Sequence, residues 1–461
     1  MYLKRFYDEN LAHASYLVGC QAGGEAIVID AGRDIRPYLR DAERQGLKIV
    51  AATETHIHAD FLSGSRQLAH ETGAKMYLSK EGGPDWQYQF ASENDVMLGD
   101  GDVIKIGNLT LEVMHTPGHT PEHVSFILTD HPASEKPIGA FTGDFVFVGD
   151  VGRPDLLEKA AGLKDTMKKG AVDLFHSLKR FKELPDHLQI WPAHGAGSAC
   201  GKALGAVPSS VLGYEKLANW AFKITNEEEF VEAILEGQPE PPKYFAVMKR
   251  LNKEGPALLE AGYRPPRLEK ERLSSIRESG TLLDLRGSDA FVKAHPKDAL
   301  FLPRGTSFVT WAGWLVPYGE AIYLLLGEES DLETYFRDLG SIGLDNVRGY
   351  FLPEDLGSVE MQASQRIEAD QVEETNAILD VRSQKEWEEG HLQGAQHIHL
   401  GYLEDRMEEV PDEPVVHCRS GTRSLIASSV LQRAGKNPVD VLGGYTALRA
   451  HFNLSSDARP R

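Results

Sequence analysis

At 461 residues the chain exceeds one ordinary hydrophobic core, and length alone predicts roughly two to four domains. A hydrophobic content of 41% with 26% charged residues excludes disordered and fibrous classes, and the formal charge of -20 disfavours nucleic acid and anionic membrane surfaces as partners. The charged opening MYLKRFYDEN, and no apolar run near the roughly 18 residues of a span, predict neither secretory signal nor membrane helix and hence a cytoplasmic protein.

The first half alternates short β-rich runs with turn residues. Strands are predicted at Glu25–Asp30, Ile49–Thr53, Lys75–Leu78, Leu109–Met114, His123–Thr129, Pro137–Thr142 and Leu188–Trp191, with helices at Gly64–Thr72 and Gly170–Phe181. Such a pattern reads as a layered α/β fold whose strand ends feed loops. Asn226–Gly237 is helix-like, and the Pro-rich Gly237–Pro242 and Tyr263–Pro266 cannot continue a helix, which places a domain boundary near residue 260.

The remainder carries an internal repeat. Leu282–His295 and Ile378–His391 share D-x-R, an aromatic and a His at an offset of 96, with eleven positions from Asp to His in each. Ile322–Leu326 corresponds to Pro414–Cys418, and a Gly-Tyr pair follows at Gly349 and at Gly444. Two copies of one α/β module, residues 261–360 and 361–461, are expected.

Candidate chemistry gathers at two places. His56, His58 and Asp60 stand at alternate positions just past a predicted strand, and His119, Asp144 and His194 each follow another strand in a Gly-containing turn. A lone His in a turn is ordinarily a satisfied polar residue, but a cluster with three partners reads as a metal site. The second place is Cys418, between a predicted strand and the amphipathic Leu425–Ala434, in a loop with Arg419 and Arg423. Backbone N–H groups and a helix N-terminus converging on sulfur stabilise an anionic persulfide, so Cys418 reads as a nucleophile. The three cysteines, Cys20, Cys200 and Cys418, are scattered and odd in number, which predicts reduced thiols rather than a disulfide framework. Cys200 reads as a small buried thiol, with sulfur relay as the other reading.

The H-x-H-x-D cluster followed by His, Asp and His resembles the metallo-β-lactamase superfamily over roughly residues 1–250, and Asp30 fits the early Asp of that fold. Binuclear hydrolases of the superfamily carry a second His where this chain has Phe61, which removes a ligand from a second metal. A mononuclear site is favoured, and two His with one carboxylate suit Fe(II) and O2. Within the superfamily the segment looks like the persulfide dioxygenases. That resemblance implies iron held by His56, His119 and Asp144, with His58, Asp60 and His194 orienting ligands or water. Spacing alone equally permits His58 as a ligand. It further implies a carrier-binding role for Arg153, nine residues after Asp144, with a surface salt bridge as the bland alternative.

Residues 361–461 resemble the rhodanese family, with Asp380, Arg382 and the Cys418 loop. Arg423 follows Cys418 after four residues, one short of the phosphate-wrapping loop of tyrosine-phosphatase-like enzymes. The first copy has Leu326 at the Cys position, followed by Glu328 and Glu329, and is expected to be an inactive rhodanese fold. The fold expected is therefore α/β: an αββα metallo-β-lactamase domain (1–260) followed by two rhodanese-like α/β domains. The resemblance implies a persulfide dioxygenase coupled to a thiosulfate sulfurtransferase of sulfide detoxification, using a low-molecular-weight thiol persulfide, O2 and sulfite or thiosulfate, and assembling as a homo-oligomer. The competing readings are a zinc glyoxalase II-like thioester hydrolase and a non-catalytic sulfur-carrier scaffold.

Overall fold

The computed structural model describes residues 1–453 apart from 157, 159–165, 199, 203, 239, 261, 358 and 374–376. Two compact units are present, Met1–Gly262 with Gly340–Gly343, and Tyr263–Leu339 with Leu344–Arg461.

The first unit is built on two six-stranded sheets. One runs in chain order through β1 (Tyr2–Asp8), β2 (His13–Cys20), β3 (Glu25–Ile29), β4 (Lys48–Thr53), β5 (Lys75–Ser79) and β6 (Val96–Leu98). The other is ordered β12-β11-β10-β9-β8-β7, from β7 (Val103–Ile106), β8 (Leu109–His115), β9 (Val124–Asp130), β10 (Gly139–Gly143), β11 (Gln189–Pro192) and β12 (Ser210–Val211). Successive side chains of a strand point to opposite faces, and the packing follows that alternation. Ile27 and Ile29 join Phe126, Leu128, Phe141 and Trp191 in a core shared by both sheets. Ala26 and Val28 point the other way, into a core with Tyr38 and Ala42 of helix Arg36–Arg44 and Leu68 of helix Ser65–Thr72. The outer face of the second sheet, Ile127 and Ala140, packs with Leu174, Leu178 and Phe181 of helix Thr166–Phe181 and with Phe230 and Ile234 of helix Glu227–Leu235. The layers are thus α, β, β, α, as expected for the metallo-β-lactamase fold.

Every strand named from sequence is present, shifted at its ends by a residue or two. The sequence reading did not single out β1 and β2. In β2 all eight residues are buried, His13 and Ser15 among them, so the polar-apolar alternation that marks a half-exposed strand is missing.

In the second unit, β13 (Gly280–Asp284), β15 (Leu300–Phe301), β16 (Ala321–Leu325) and β17 (Val347–Phe351) form a parallel sheet ordered β15-β13-β16-β17. A second parallel sheet is ordered β19-β23-β22-β20-β21, from β19 (Gln365–Ile367), β20 (Ile378–Asp380), β21 (Gln396–His397), β22 (Val415–His417) and β23 (Val439–Val441). Short antiparallel strands β14 (His295–Pro296) and β18 (Met361–Gln362) pair with each other across the junction of the repeat.

The repeated motif has the same physical content in both copies. Asp284 takes a bidentate pair from Arg286, whose Nη2 also reaches the Ala294 carbonyl at 2.9 Å. Asp380 and Arg382 do the same, with Nη2 reaching the Gly390 carbonyl at 2.8 Å. His295 stacks on Phe291 and His391 on Trp387, with ring centroids 3.7 Å apart in each. The Gly-Tyr match is a correction, because the two pairs are not equivalent. Gly349 lies inside β17, whereas Gly444 opens helix Gly444–His451. A dipeptide has no structural meaning without register, and register pairs β17 with β16 as it pairs β23 with β22.

Candidate metal centre and cysteine loop

The first unit gathers its polar side chains where strands of both sheets end. Asp30 follows β3 with φ 54°, His56, His58 and Asp60 follow β4, His119 follows β8, Asp144 follows β10 and His194 follows β11. All seven are buried. Donor atoms of His56, His119 and Asp144 lie within 4.8 Å of one another, and so do those of Asp60, His194 and Cys200.

Asp144 stands between the two groups. Its Oδ2 is 3.5 Å from His119 Nε2 and 4.0 Å from His56 Nε2, while its Oδ1 is 3.3 Å from His194 Nε2. Among the described residues, both Asp144 oxygens, His56 Nε2, His194 Nε2 and Asp60 Oδ2 have no hydrogen-bond partner. Unpaired buried polar atoms cost about 1–3 kcal/mol each, more when charged, so five pointing into one region fit a cation there.

Outer contacts set the imidazoles for coordination. His119 Nδ1 donates to the Arg153 carbonyl at 2.9 Å and His194 Nδ1 to the Ala12 carbonyl at 3.1 Å, leaving each Nε2 lone pair inward. Asp30 accepts from the Thr55 N–H and from Thr55 Oγ1, which in turn lies 3.0 Å from His56 Nδ1. Burial keeps His56 well below the usual imidazole range and lowers His119, favouring the neutral, metal-binding form. Burial of Asp144 works against its charge, yet the His194 and His119 imidazoles outweigh it and hold the carboxyl low.

His58 belongs outside the first group. Burial opposes its charge, but Asp30, 3.1 Å from its Nε2, prevails and pushes it up to about 9. Phe61 packs in tilted contact with His13 and His58, centroids 3.8 and 4.4 Å away, an apolar ring where the binuclear motif has an imidazole.

Several contributors escaped the sequence reading. His123 accepts from the Asp144 N–H at 3.1 Å and is itself tied to Thr116 Oγ1 at 2.9 Å. Its signal was its place four residues past His119. Asn252, on helix Tyr244–Glu254, donates to the His58 and Phe61 carbonyls at 2.8 and 2.7 Å and accepts from the Ser63 N–H at 2.9 Å. Nothing local in the sequence marks it.

Arg153 departs from expectation. Its side chain is fully buried and closes a bidentate pair with Asp155 at 2.7 Å, so its charge is met within the protein. Its carbonyl orients His119, and a guanidinium held open for a carrier anion is not what this geometry presents. Cys200 is the buried free thiol expected, raised well above its usual value by burial, and it stands beside Asp60 and His194.

In the second unit Cys418 follows β22 and is buried, with the Gly421 N–H donating to its Sγ at 3.1 Å. Gly421 has φ 109° and begins helix Thr422–Arg433, so sulfur lies at a helix N-terminus as expected. Gly444, at φ +55°, lets the next helix approach: a Cβ there would fall 2.5 Å from the Cys418 carbonyl, which accepts from the Tyr445 N–H at 2.6 Å. Arg419 is exposed at the rim. Arg423 is already paired, donating to both Glu386 oxygens at 2.6 and 2.7 Å. Burial alone would raise Glu386, yet this pairing brings it down to about 2.

Residues 9–194 match the model of the metallo-beta-lactamase superfamily, and residues 362–451 that of the rhodanese-like domain. The mitochondrial persulfide dioxygenase of Homo sapiens is 32% identical over 197 residues, covering 42% of this chain and 67% of that one. The chain belongs to the metallo-beta-lactamase superfamily. Its N-terminal domain has persulfide dioxygenase homologues, and a rhodanese-like domain follows toward the C-terminus. A hydroxyacylglutathione hydrolase of Hyphomonas neptunium is 29% identical over 226 residues, covering 49% of this chain and 79% of that one. The crystal structure of a metallo-beta-lactamase from Staphylococcus aureus subsp. aureus COL is 43% identical with TM-score 0.71, covering 76% of this chain and 99% of that one. Among the described residues no helix is long and apolar enough to cross a membrane.

Proposed function

We propose that the chain is an iron-dependent persulfide dioxygenase coupled to a sulfurtransferase, turning a low-molecular-weight persulfide and O2 into sulfite and thiosulfate. The observation that carries this reading is the buried convergence of His56, His119 and Asp144, with His56 Nε2 and both Asp144 oxygens unpartnered among the described residues, in a chain that also holds Cys418 at a helix N-terminus. These three residues would hold a single Fe(II), which supplies O2 activation and a position for the sulfur anion. The chain's own part is orientation. Arg153 and Thr55 hold the two imidazoles through their Nδ1 atoms, His123 holds the Asp144 backbone, and Asn252 fixes the loop between His58 and Ser63.

The overall oxidation consumes one persulfide, one O2 and one water, and releases the thiol and sulfite with its protons. Cys418 is loaded by a second persulfide: its thiolate attacks the outer sulfur, the S–S bond of the donor breaks, and the thiol leaves. Attack by sulfite on the outer sulfur of the Cys418 persulfide breaks the S–S bond, forms thiosulfate and returns the thiolate beside the Gly421 N–H. Residues 261–360, with Leu326 at the equivalent position, serve in this reading as an inactive rhodanese fold.

Anaerobic reconstitution of the full chain with iron(II), followed by O2 uptake and sulfite analysis with glutathione, coenzyme A and bacillithiol persulfides, tests the proposal. Oxygen uptake matched by sulfite is expected with at least one. Thioester hydrolysis by a zinc-loaded protein that takes up no O2 with any persulfide would establish the hydrolase instead.

A further inference from the structure

We propose that Lys249 and Glu122 form a buried proton-exchange pair beside the metal centre, which takes up a proton released in the oxidation and hands it to solvent. The inference rests on the persulfide oxidation proposed above and gives its protons a route.

The metal centre is closed off, so a proton cannot leave it directly. His56, His119 and Asp144 are each at most 2% exposed. Oxidation of one persulfide by one O2 and one water yields, beside the thiol, sulfite with two protons. A group that accepts them must lie nearby, ionise near neutral pH and reach water. Helix Tyr244–Glu254 supplies Lys249, whose Nζ is buried and stands 3.7 Å from the centroid of the Trp86 ring. The residue as a whole is only half-buried, so solvent is a short step away. The loop that carries His119 supplies Glu122, fully buried, whose Oε1 accepts from the Ile57 N–H at 2.8 Å, between His56 and His58. Gly82, at φ +81°, lets the turn that carries Trp86 close on this loop, since a Cβ there would fall 2.9 Å from the Glu122 nitrogen.

Lys249 Nζ and Glu122 Oε2 have no hydrogen-bond partner among the described residues. Buried atoms of that kind are ordinarily satisfied by ordered water, which is also the medium a proton needs to move between them. Burial draws Lys249 down to about 7 against the Glu122 charge, with Lys253 of the same helix adding to the fall. Burial likewise pushes Glu122 up, opposed by the Ile57 N–H and the Lys249 charge. The Lys249 charge also acts on His119, helping burial to lower it. Tyr88, kept protonated by burial and by the Glu54 and Glu122 charges, completes the polar surroundings. In the transfer the neutral Lys249 amine accepts the proton on its lone pair, an N–H bond forms, and the ammonium later returns the proton to solvent. No oxidation state changes.

Two readouts on the full chain test the pair. One is kcat for O2 uptake by the iron(II)-loaded enzyme as a function of pH. The other is the Lys249 titration, followed by NMR of isotope-labelled lysine side chains with zinc(II) as a diamagnetic stand-in for iron and Lys249→Arg to assign the resonance. Lys249 should titrate near 7, and kcat should rise with pH through the same midpoint. Glu122→Gln removes the charge that raises Lys249, so both midpoints should move down together. Lys249→Arg keeps the charge but cannot give up a proton, and should lower kcat at least about tenfold with KM unchanged and erase the limb. A purely structural ion pair would instead let arginine restore turnover. Full kcat in Lys249→Arg, or a Lys249 side chain still charged above about pH 9, overturns the pair and leaves the dioxygenase standing. Wild type that takes up no O2 with any persulfide overturns the dioxygenase reading, and with it the source of the proton, even where Lys249 titrates as expected.

Discussion

The two parallel-sheet modules of the second unit share a scaffold and differ at the loop. Parallel pairing puts Asp284 opposite Leu325 and Asp380 opposite His417, and the Leu285 and Val381 N–H groups donate to Leu325 and His417 in turn. Leu326 therefore stands where Cys418 stands. The same correspondence sets Ala290 against Glu386 and Asp331 against Arg423, so the ion pair that braces the cysteine loop has no counterpart in the first module. What is common, the Asp-Arg clamp and the stacked His, holds strands and turns together. What differs at the loop is the thiol, with Leu326 for Cys418, and the Glu386–Arg423 pair beside it.

The sharpest way to break the comparison is at the sulfur. Cys418→Ser should reduce thiosulfate formation to background while O2 uptake with a persulfide continues, measured by product analysis on the same sample. Sulfur transfer that persists would place the chemistry elsewhere.

Next in size is the shared clamp. Asp284→Ala and Asp380→Ala each strand a buried guanidinium, and each should cost about 3–5 kcal/mol in denaturant unfolding. A large cost in one module and none in the other would end the equivalence.

A smaller effect separates the modules by pH. Glu386 has a folded value lowered to about 2, so its stabilisation is full above its unfolded value and fades as pH falls toward 2. Glu386→Gln should flatten the acid limb of the stability curve between about pH 4.5 and 2. An unchanged limb in thermal melts would show that Arg423 does not brace the loop.

The smallest effect is a null. Leu326→Cys should gain no sulfurtransferase activity and no stable persulfide by mass spectrometry, because Glu328, Glu329 and Asp331 place carboxylates where Ser420, Gly421 and Arg423 stand in the other copy. Activity there would show that the lost thiol is all that separates the modules.

Much of this was legible from residue order, because strand alternation and turn composition act locally. The strands that His56, His119, Asp144 and His194 follow declare themselves, and so does the D-x-R repeat, since Asp and Arg two residues apart pair within their own turn. The Gly-Tyr match misled for the opposite reason: whether Gly349 and Gly444 correspond depends on sheet register, which joins residues far apart in the chain.

Only the tertiary structure decided the rest. That Arg153 is spent on Asp155 while its carbonyl serves His119, that Asn252 holds a loop 194 residues before it at His58, and that Cys200 meets Asp60 and His194 are all consequences of burial. A buried polar atom must find its partner among whatever the fold brings near, and that neighbourhood is set by packing between layers rather than by spacing along the chain.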